Sequence, residues 1–174
     1  LASAISALHG AGVVHRDVKP SNVILCDGQP ERAVLLDLGV ARPLFAAPAL
    51  TGEQIAIGTL GYMAPEQARG RRDIDPRADV FALGAVLHEC LAGAPAFGGP
   101  HALAILSALL CEEPSPLREL RPDIPPDLAD LVQAMLAKER SSRPSAADVA
   151  RVLAEVRAGG APQAARKGRA CTAP

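Results

Sequence analysis

Apolar residues in this chain fall into short runs and helical stripes whose spacing predicts most of its elements. Residues 1–11 read as the end of a helix, with Ile5 and Leu8 on its apolar side and Gly10 and Gly12 as stop signals. Val23-Ile24-Leu25 and Ala33-Val34-Leu35-Leu36 flank Asp27-Gly28 and Pro30, the pattern of a small β-hairpin with a longer loop. Residues 38–63 have no sustained period and read as loop. From about residue 64 the pattern turns helical. Asp75-Pro76 is a helix start, a capping side chain followed by a residue that needs no backbone N–H. Val80 to Leu91 is apolar almost all round, which predicts a helix buried on every side, ended by Gly93. Leu103, Leu106 and Leu110, with Ile105 and Leu109 beside them, mark another helix. Leu128, Leu131, Val132, Met135 and Leu136 repeat at i, i+3, i+4, i+7, i+8. Ser145 with Asp148 is a capping box, followed by the stripe Val149, Val152, Leu153, Val156. The pattern predicts a mainly α domain over 1–157 with one hairpin and a central buried helix. Residues 158–174 are Gly, Ala, Pro, Lys and Arg without period, and are expected to be a disordered tail. There are no internal repeats.

Composition narrows the class. A chain of 174 residues can bury a core, and 49% hydrophobic with 21% charged residues is ordinary for a globular domain. With 2% aromatics and no Trp, that core must come from Leu, Val, Ile and Ala. A net charge of −1 points to neither nucleic acid nor an anionic membrane as partner. No apolar run is long enough for a membrane span. Cysteines at 26, 90, 111 and 171 form no CxxC pair, so a reduced, cytoplasmic chain is expected. Four scattered histidines (9, 15, 88, 101) read as packing or surface residues.

One polar stretch changes this picture. His15-Arg16-Asp17-Val18-Lys19-Pro20-Ser21-Asn22 places a carboxylate, a mobile cation and a side-chain carbonyl in one loop. After the hairpin, Asp37-Leu38-Gly39 adds a second carboxylate. A hairpin lets the chain leave and return, so Asp37 can sit close to Asn22. Such a set suits phosphoryl transfer, which needs hard metal ions on oxygen ligands, a proton acceptor and positive charge near the transferred group.

These residues resemble the catalytic loop of the protein kinase family, serine/threonine type, in its bacterial form. The match runs in order over roughly residues 1 to 157. It takes in Gly58-Thr59, then Tyr62-Met63-Ala64-Pro65-Glu66 as the A-P-E motif, and Glu66-Gln67-Ala68-Arg69-Gly70, which resembles bacterial members. The resemblance implies the helical C-terminal lobe of the protein-kinase fold, with Asp17 as catalytic base and Lys19 steadying the γ-phosphate of ATP. Asn22 and Asp37 would hold Mg²⁺, and Ile24 would lie under the adenine. Thr59 would hydrogen-bond near Asp17 and favour Ser or Thr substrates on proteins. Asp79 would accept hydrogen bonds from the catalytic-loop backbone, and Arg143 would pair with Glu66. Arg16 would form a pocket for a phosphorylated or acidic group on the activation segment. Thr51, the only hydroxyl between Asp37 and Thr59, is the expected phosphorylation site.

Two departures accompany the match. Leu38 stands where the family usually has Phe. The Gly-rich loop, the strand Lys and its helix Glu partner are not among these residues, so the N-terminal β-lobe is absent from this sequence. The 174-residue chain is therefore expected to have negligible activity alone, with the missing N-terminal lobe as its natural partner. Two other readings stay open: a catalytically silent lobe that binds a partner protein, and a structural module that keeps the motifs only as fold determinants.

Overall fold

The structure, a computed structural model, describes residues 1–29, 32–37 and 57–159. Helix α1 spans Ala2–Gly10, and strands β1 (Val23–Leu25) and β2 (Ala33–Leu35) form one antiparallel pair with Ile24 opposite Val34. Among the described residues seven α-helices follow: α2 (Ile57–Leu60), α3 (Pro65–Ala68), α4 (Arg77–Ala92), α5 (Ala102–Cys111), α6 (Leu117–Leu120), α7 (Pro126–Met135) and α8 (Ala146–Arg157). The described residues are thus mainly helical, as the pattern predicts. Two single-turn helices correct it: α2 lies in the stretch read as loop, and α6 has no counterpart among the expected elements. Leu38, Thr51 and residues 160–174 of the expected tail lie outside the described residues.

The all-round apolar pattern of α4 has its counterpart in burial. Ala78 through Val86, and His88, are buried. One side of α4 presents Phe81 and Ala85 to Phe97, Leu109, Leu117, Val132 and Leu136. The other gives Val80 and Leu83 to Ile5, Val18, Leu131, Met135 and Val149, where α1 lies on α8 and α7 on α4. The centre of α4 carries Gly84. A Cβ there would stand 2.8 Å from the Met135 Cβ, so only glycine lets α4 and α7 come this close. Gly93 closes α4 in the left-handed conformation (φ 75°), accepted at no steric cost by glycine.

Local capping follows the residues. Asp75 Oδ1 accepts the Arg77 N–H at 2.8 Å, the second N–H position after a cap at Asp75, as the Asp-Pro motif suggests. Ser145 Oγ accepts the Asp148 N–H at 3.1 Å, but its hydroxyl also donates to the Asp148 carboxylate at 2.6 Å. That second bond takes up a carboxylate which a full capping box would turn back to the backbone. Neither strand of the hairpin holds a buried residue, and Ile24, Leu25 and Val34 are 49%, 47% and 46% exposed.

Candidate active site

Residues 13–18 run from α1 toward the hairpin without regular secondary structure, so side chains from elsewhere must satisfy their backbone groups. The chief supplier is Asp79, in the first turn of α4 and only 1% exposed. Its Oδ2 accepts the His15 N–H at 2.8 Å and its Oδ1 the Arg16 N–H at 2.7 Å. His9, in the last turn of α1, donates Nε2–H to Oδ2 at 2.8 Å. Three donors and the positive end of the helix dipole compensate a carboxylate that burial would otherwise penalise.

His15 is buried and links the loop to the hairpin. The Asp17 N–H donates to its Nδ1 at 3.3 Å, so the proton sits on Nε2, which donates to the Leu36 carbonyl at 3.0 Å. Arg16 between them has φ 67°, a left-handed conformation that costs a non-glycine residue about 1–3 kcal/mol. Its N–H is held by Asp79 and its C=O accepts Gln67 Nε2 at 2.9 Å. The Arg16 Nε is buried with no hydrogen-bond acceptor among the described residues.

This framework brings three predicted side chains together. Lys19 Nζ lies 2.9 Å from Asp17 Oδ2. Asn22 donates through Nδ2 to the Asp17 backbone carbonyl at 2.8 Å and to Asp17 Oδ2 at 3.0 Å. Both bonds use the amide nitrogen, which leaves Asn22 Oδ1 available as an oxygen donor. The Leu36 N–H donates to the Asn22 carbonyl at 2.8 Å, which sets Asp37, the next residue, beside the turn Pro20–Asn22. Asp37 is exposed and left-handed (φ 51°). The Asp37 carboxylate and the Asn22 amide oxygen are of the type a Mg²⁺ takes while keeping waters and phosphate oxygens for its other positions. Among the described residues there is no cluster of three or more His, Cys, Asp or Glu, so a metal held by protein side chains alone is not offered. Ile24 exposes its side chain on β1. Thr59 is half-buried in α2, its carbonyl accepting the Tyr62 N–H at 3.4 Å.

Behind the loop, Glu66 and Arg143 form a buried bidentate pair at 2.7 and 2.9 Å. Arg143 also donates to the carbonyls of Ala137, Arg77 and Lys138 at 2.8, 3.1 and 3.1 Å. All five guanidinium N–H groups are therefore used, and the group lies over the Phe81 ring at 4.9 Å. The Tyr62 hydroxyl donates to Glu89 of α4. Burial, then the Glu89 bond, pushes this phenol above its ordinary pKa.

Sequence reasoning passed over three contributors. His9 and His15 count as packing residues by their scatter, yet both fasten the loop. Gln67 is the third. The signal for it was its place three residues after Ala64, at the capping-box position of a helix that opens on Pro65.

The family model of the protein kinase domain matches residues 1–152. Serine/threonine-protein kinase pkn3 of Myxococcus xanthus is 38% identical over 153 residues, covering 84% of this chain and 28% of that protein. Serine/threonine-protein kinase PknA of Mycobacterium tuberculosis is 39% identical over 161 residues, covering 91% of this chain and 36% of that protein. Serine/threonine-protein kinase PkaA of Streptomyces coelicolor is 41% identical over 161 residues, covering 91% and 28%. The chain spans about a third of the length of these relatives or less.

Proposed function

Because this chain belongs to the protein kinase family, with bacterial serine/threonine kinases as relatives, we propose that it is the helical lobe of an enzyme that transfers the γ-phosphoryl group of ATP to Ser or Thr hydroxyls of proteins. The observation that carries this reading is the Asp17 carboxylate, flanked by Lys19 and Asn22 in a loop fastened by Asp79. Asp17 accepts the proton of the attacking hydroxyl as the new O–P bond forms and the bond to the leaving ADP oxygen breaks. Lys19 offers positive charge beside the transferred group. Asn22 Oδ1 and the Asp37 carboxylate hold Mg²⁺, which when bound neutralises phosphate charge as a Lewis acid. Ile24 gives the nucleotide base an apolar surface. Thr59 positions the substrate hydroxyl near Asp17. A phosphate on Thr51 pairs with Arg16, whose buried Nε has no acceptor among the described residues.

The activity belongs to the protein that includes an ATP-covering lobe, and the 174-residue chain alone transfers negligible phosphate. We assign it to the cytoplasm, where ATP is made. Among the described residues no helix is long and apolar enough to cross a membrane. A second reading, a silent lobe that docks a partner protein, draws on the half-exposed Ile24, Leu25 and Val34. Asp17 and Asp37 together favour the active parent.

Radiolabel transfer from ATP decides between them. In a form carrying both lobes, Asp17→Asn should cut transfer by about 10²–10⁴ with the fold intact by circular dichroism. Wild-type transfer by a folded Asp17→Asn protein would refute the reading. Asp17-dependent transfer by the 174-residue chain would refute its dependence on a second lobe.

A further inference from the structure

Arg16 is held in its left-handed conformation from both sides, and the two holds differ in origin. The N–H side is taken by Asp79, at the buried start of α4. The C=O side is taken by Gln67, in α3, a residue to which the proposed chemistry gives no part. Gln67 uses both ends of its amide. Oε1 accepts the Ala64 N–H at 3.1 Å, and Nε2 donates to the Arg16 carbonyl at 2.9 Å. The carbonyl it grips belongs to the peptide unit that leads directly into Asp17.

We propose that Gln67 is a positioning residue for the phosphoryl-transfer step: its Nε2–H fixes the Arg16–Asp17 peptide and thereby aims the Asp17 carboxylate. This rests on the reading of Asp17 as the base. Freed at its carbonyl, that peptide can rotate toward the ordinary right-handed or extended conformations of a non-glycine residue. A rotation there swings Asp17 away from Lys19 and Asn22. Asp79 holds the N–H on the far side of Arg16, and the other hold on this peptide is the longer bond from the Asp17 N–H to His15 Nδ1, at 3.3 Å against 2.9 Å for Gln67. The same amide ties the segment carrying Thr59 and Tyr62 to the catalytic loop, because Ala64, the cap of α3, ends that segment.

The two ends of the amide can be tested apart in the kinase carrying both lobes. Gln67→Glu keeps an acceptor for the Ala64 N–H and loses the donor to Arg16. Gln67→Lys keeps a donor for the Arg16 carbonyl and loses the acceptor for Ala64. A positioning role predicts that Gln67→Glu lowers kcat about tenfold or more, with KM for ATP and for a Ser/Thr peptide little changed. Gln67→Lys should stay much closer to wild type in kcat, despite its lost cap. A merely structural role predicts the reverse order, since glutamate is the better cap.

Amide hydrogen exchange at Arg16 and Asp17 supplies a readout that needs no activity. It should speed up in Gln67→Glu and not in Gln67→Lys. Unchanged exchange in Gln67→Glu, or kcat falling in both variants in step with melting temperature, would overturn the proposal. Asp17→Asn in the same assay separates the two levels of failure. If that variant keeps wild-type kcat, the reading of Asp17 falls, and exchange alone decides whether Gln67 holds the loop.

Discussion

The catalytic loop has two neighbours built in opposite ways. On one side stands the start of α4, whose Asp79 is buried and accepts from two backbone N–H groups and one imidazole. On the other stands the hairpin, with three residues in each strand and Ile24, Leu25 and Val34 nearly half exposed. The α4 side grips the loop with a side chain sunk in the core. The hydrogen bonds on the hairpin side involve backbone and one histidine, Leu36 N–H to Asn22 and His15 to the Leu36 carbonyl, with Leu35 packed on the core that holds Val18. The position of the loop is therefore set chiefly by the helical body, while the hairpin packs Leu35 on the core and leaves Ile24, Leu25 and Val34 nearly half exposed.

Removing the buried anchor should have the largest effect. Asp79→Ala leaves two backbone N–H groups and His9 without their acceptor, and should cost about 3–5 kcal/mol in urea unfolding with an unchanged m-value. A loss below about 1 kcal/mol would mean that α4 does not anchor the loop, and the contrast with the hairpin would collapse. Next comes the packing that keeps α4 in place. Gly84→Ala pushes a methyl against Met135, and should cost about 1–3 kcal/mol by the same measurement.

The helical body also has a pH signature. Lys138 donates to the Leu109 and Ala108 carbonyls at 2.6 and 3.4 Å, and lies 3.8 Å from the centre of the Phe97 ring. Burial lowers its pKa to about 8, against a partial upward pull from Glu113. Between that value and the ordinary lysine range the unfolded chain holds a proton that the folded chain has released. Stability contributed by this group therefore rises with pH across that window. The unfolding midpoint of the wild type should climb relative to Lys138→Met between pH 7.5 and 10, and a flat difference would contradict the assignment. The smallest effect belongs to the hairpin. Ile24→Ser should change unfolding free energy by no more than about 0.5 kcal/mol while raising the concentration at which the chain stays monomeric. A loss of several kcal/mol would show that the strand is held by its side chains after all.

The same contrast explains what the sequence made legible. Helices α7 and α8 were readable because each spans two turns or more, enough for a period to declare itself, and α4 because it is apolar almost all round. The single turns α2 and α6 carry no period. The loop chemistry was readable because Asp17, Lys19 and Asn22 are close in the chain. The clamps on that loop come from 51 to 64 residues away, at Gln67 and Asp79. For Asp79 the resemblance supplied the expectation. For His9 nothing local distinguished a fastening side chain from a surface one, and the capping-box place of Gln67 pointed to Ala64 and not to Arg16. Nor does a three-residue apolar run say whether it will be covered, and Ile24 and Leu25 are not.

The sequence separation of those clamps has a consequence for the order of events on the ribosome. At about 5–20 residues per second, Asp79 follows His15 by roughly 3–13 seconds of synthesis. Arg143, 77 residues after Glu66, closes the remaining buried pair later still. The catalytic loop is thus made well before the helix that shapes it. Until α3 and α4 have both emerged, the strained Arg16 lacks its two holds, and the nascent loop samples the ordinary conformations of an unfolded peptide. A ribosome stalled before residue 79 would present the complete catalytic loop in sequence and none of it in geometry.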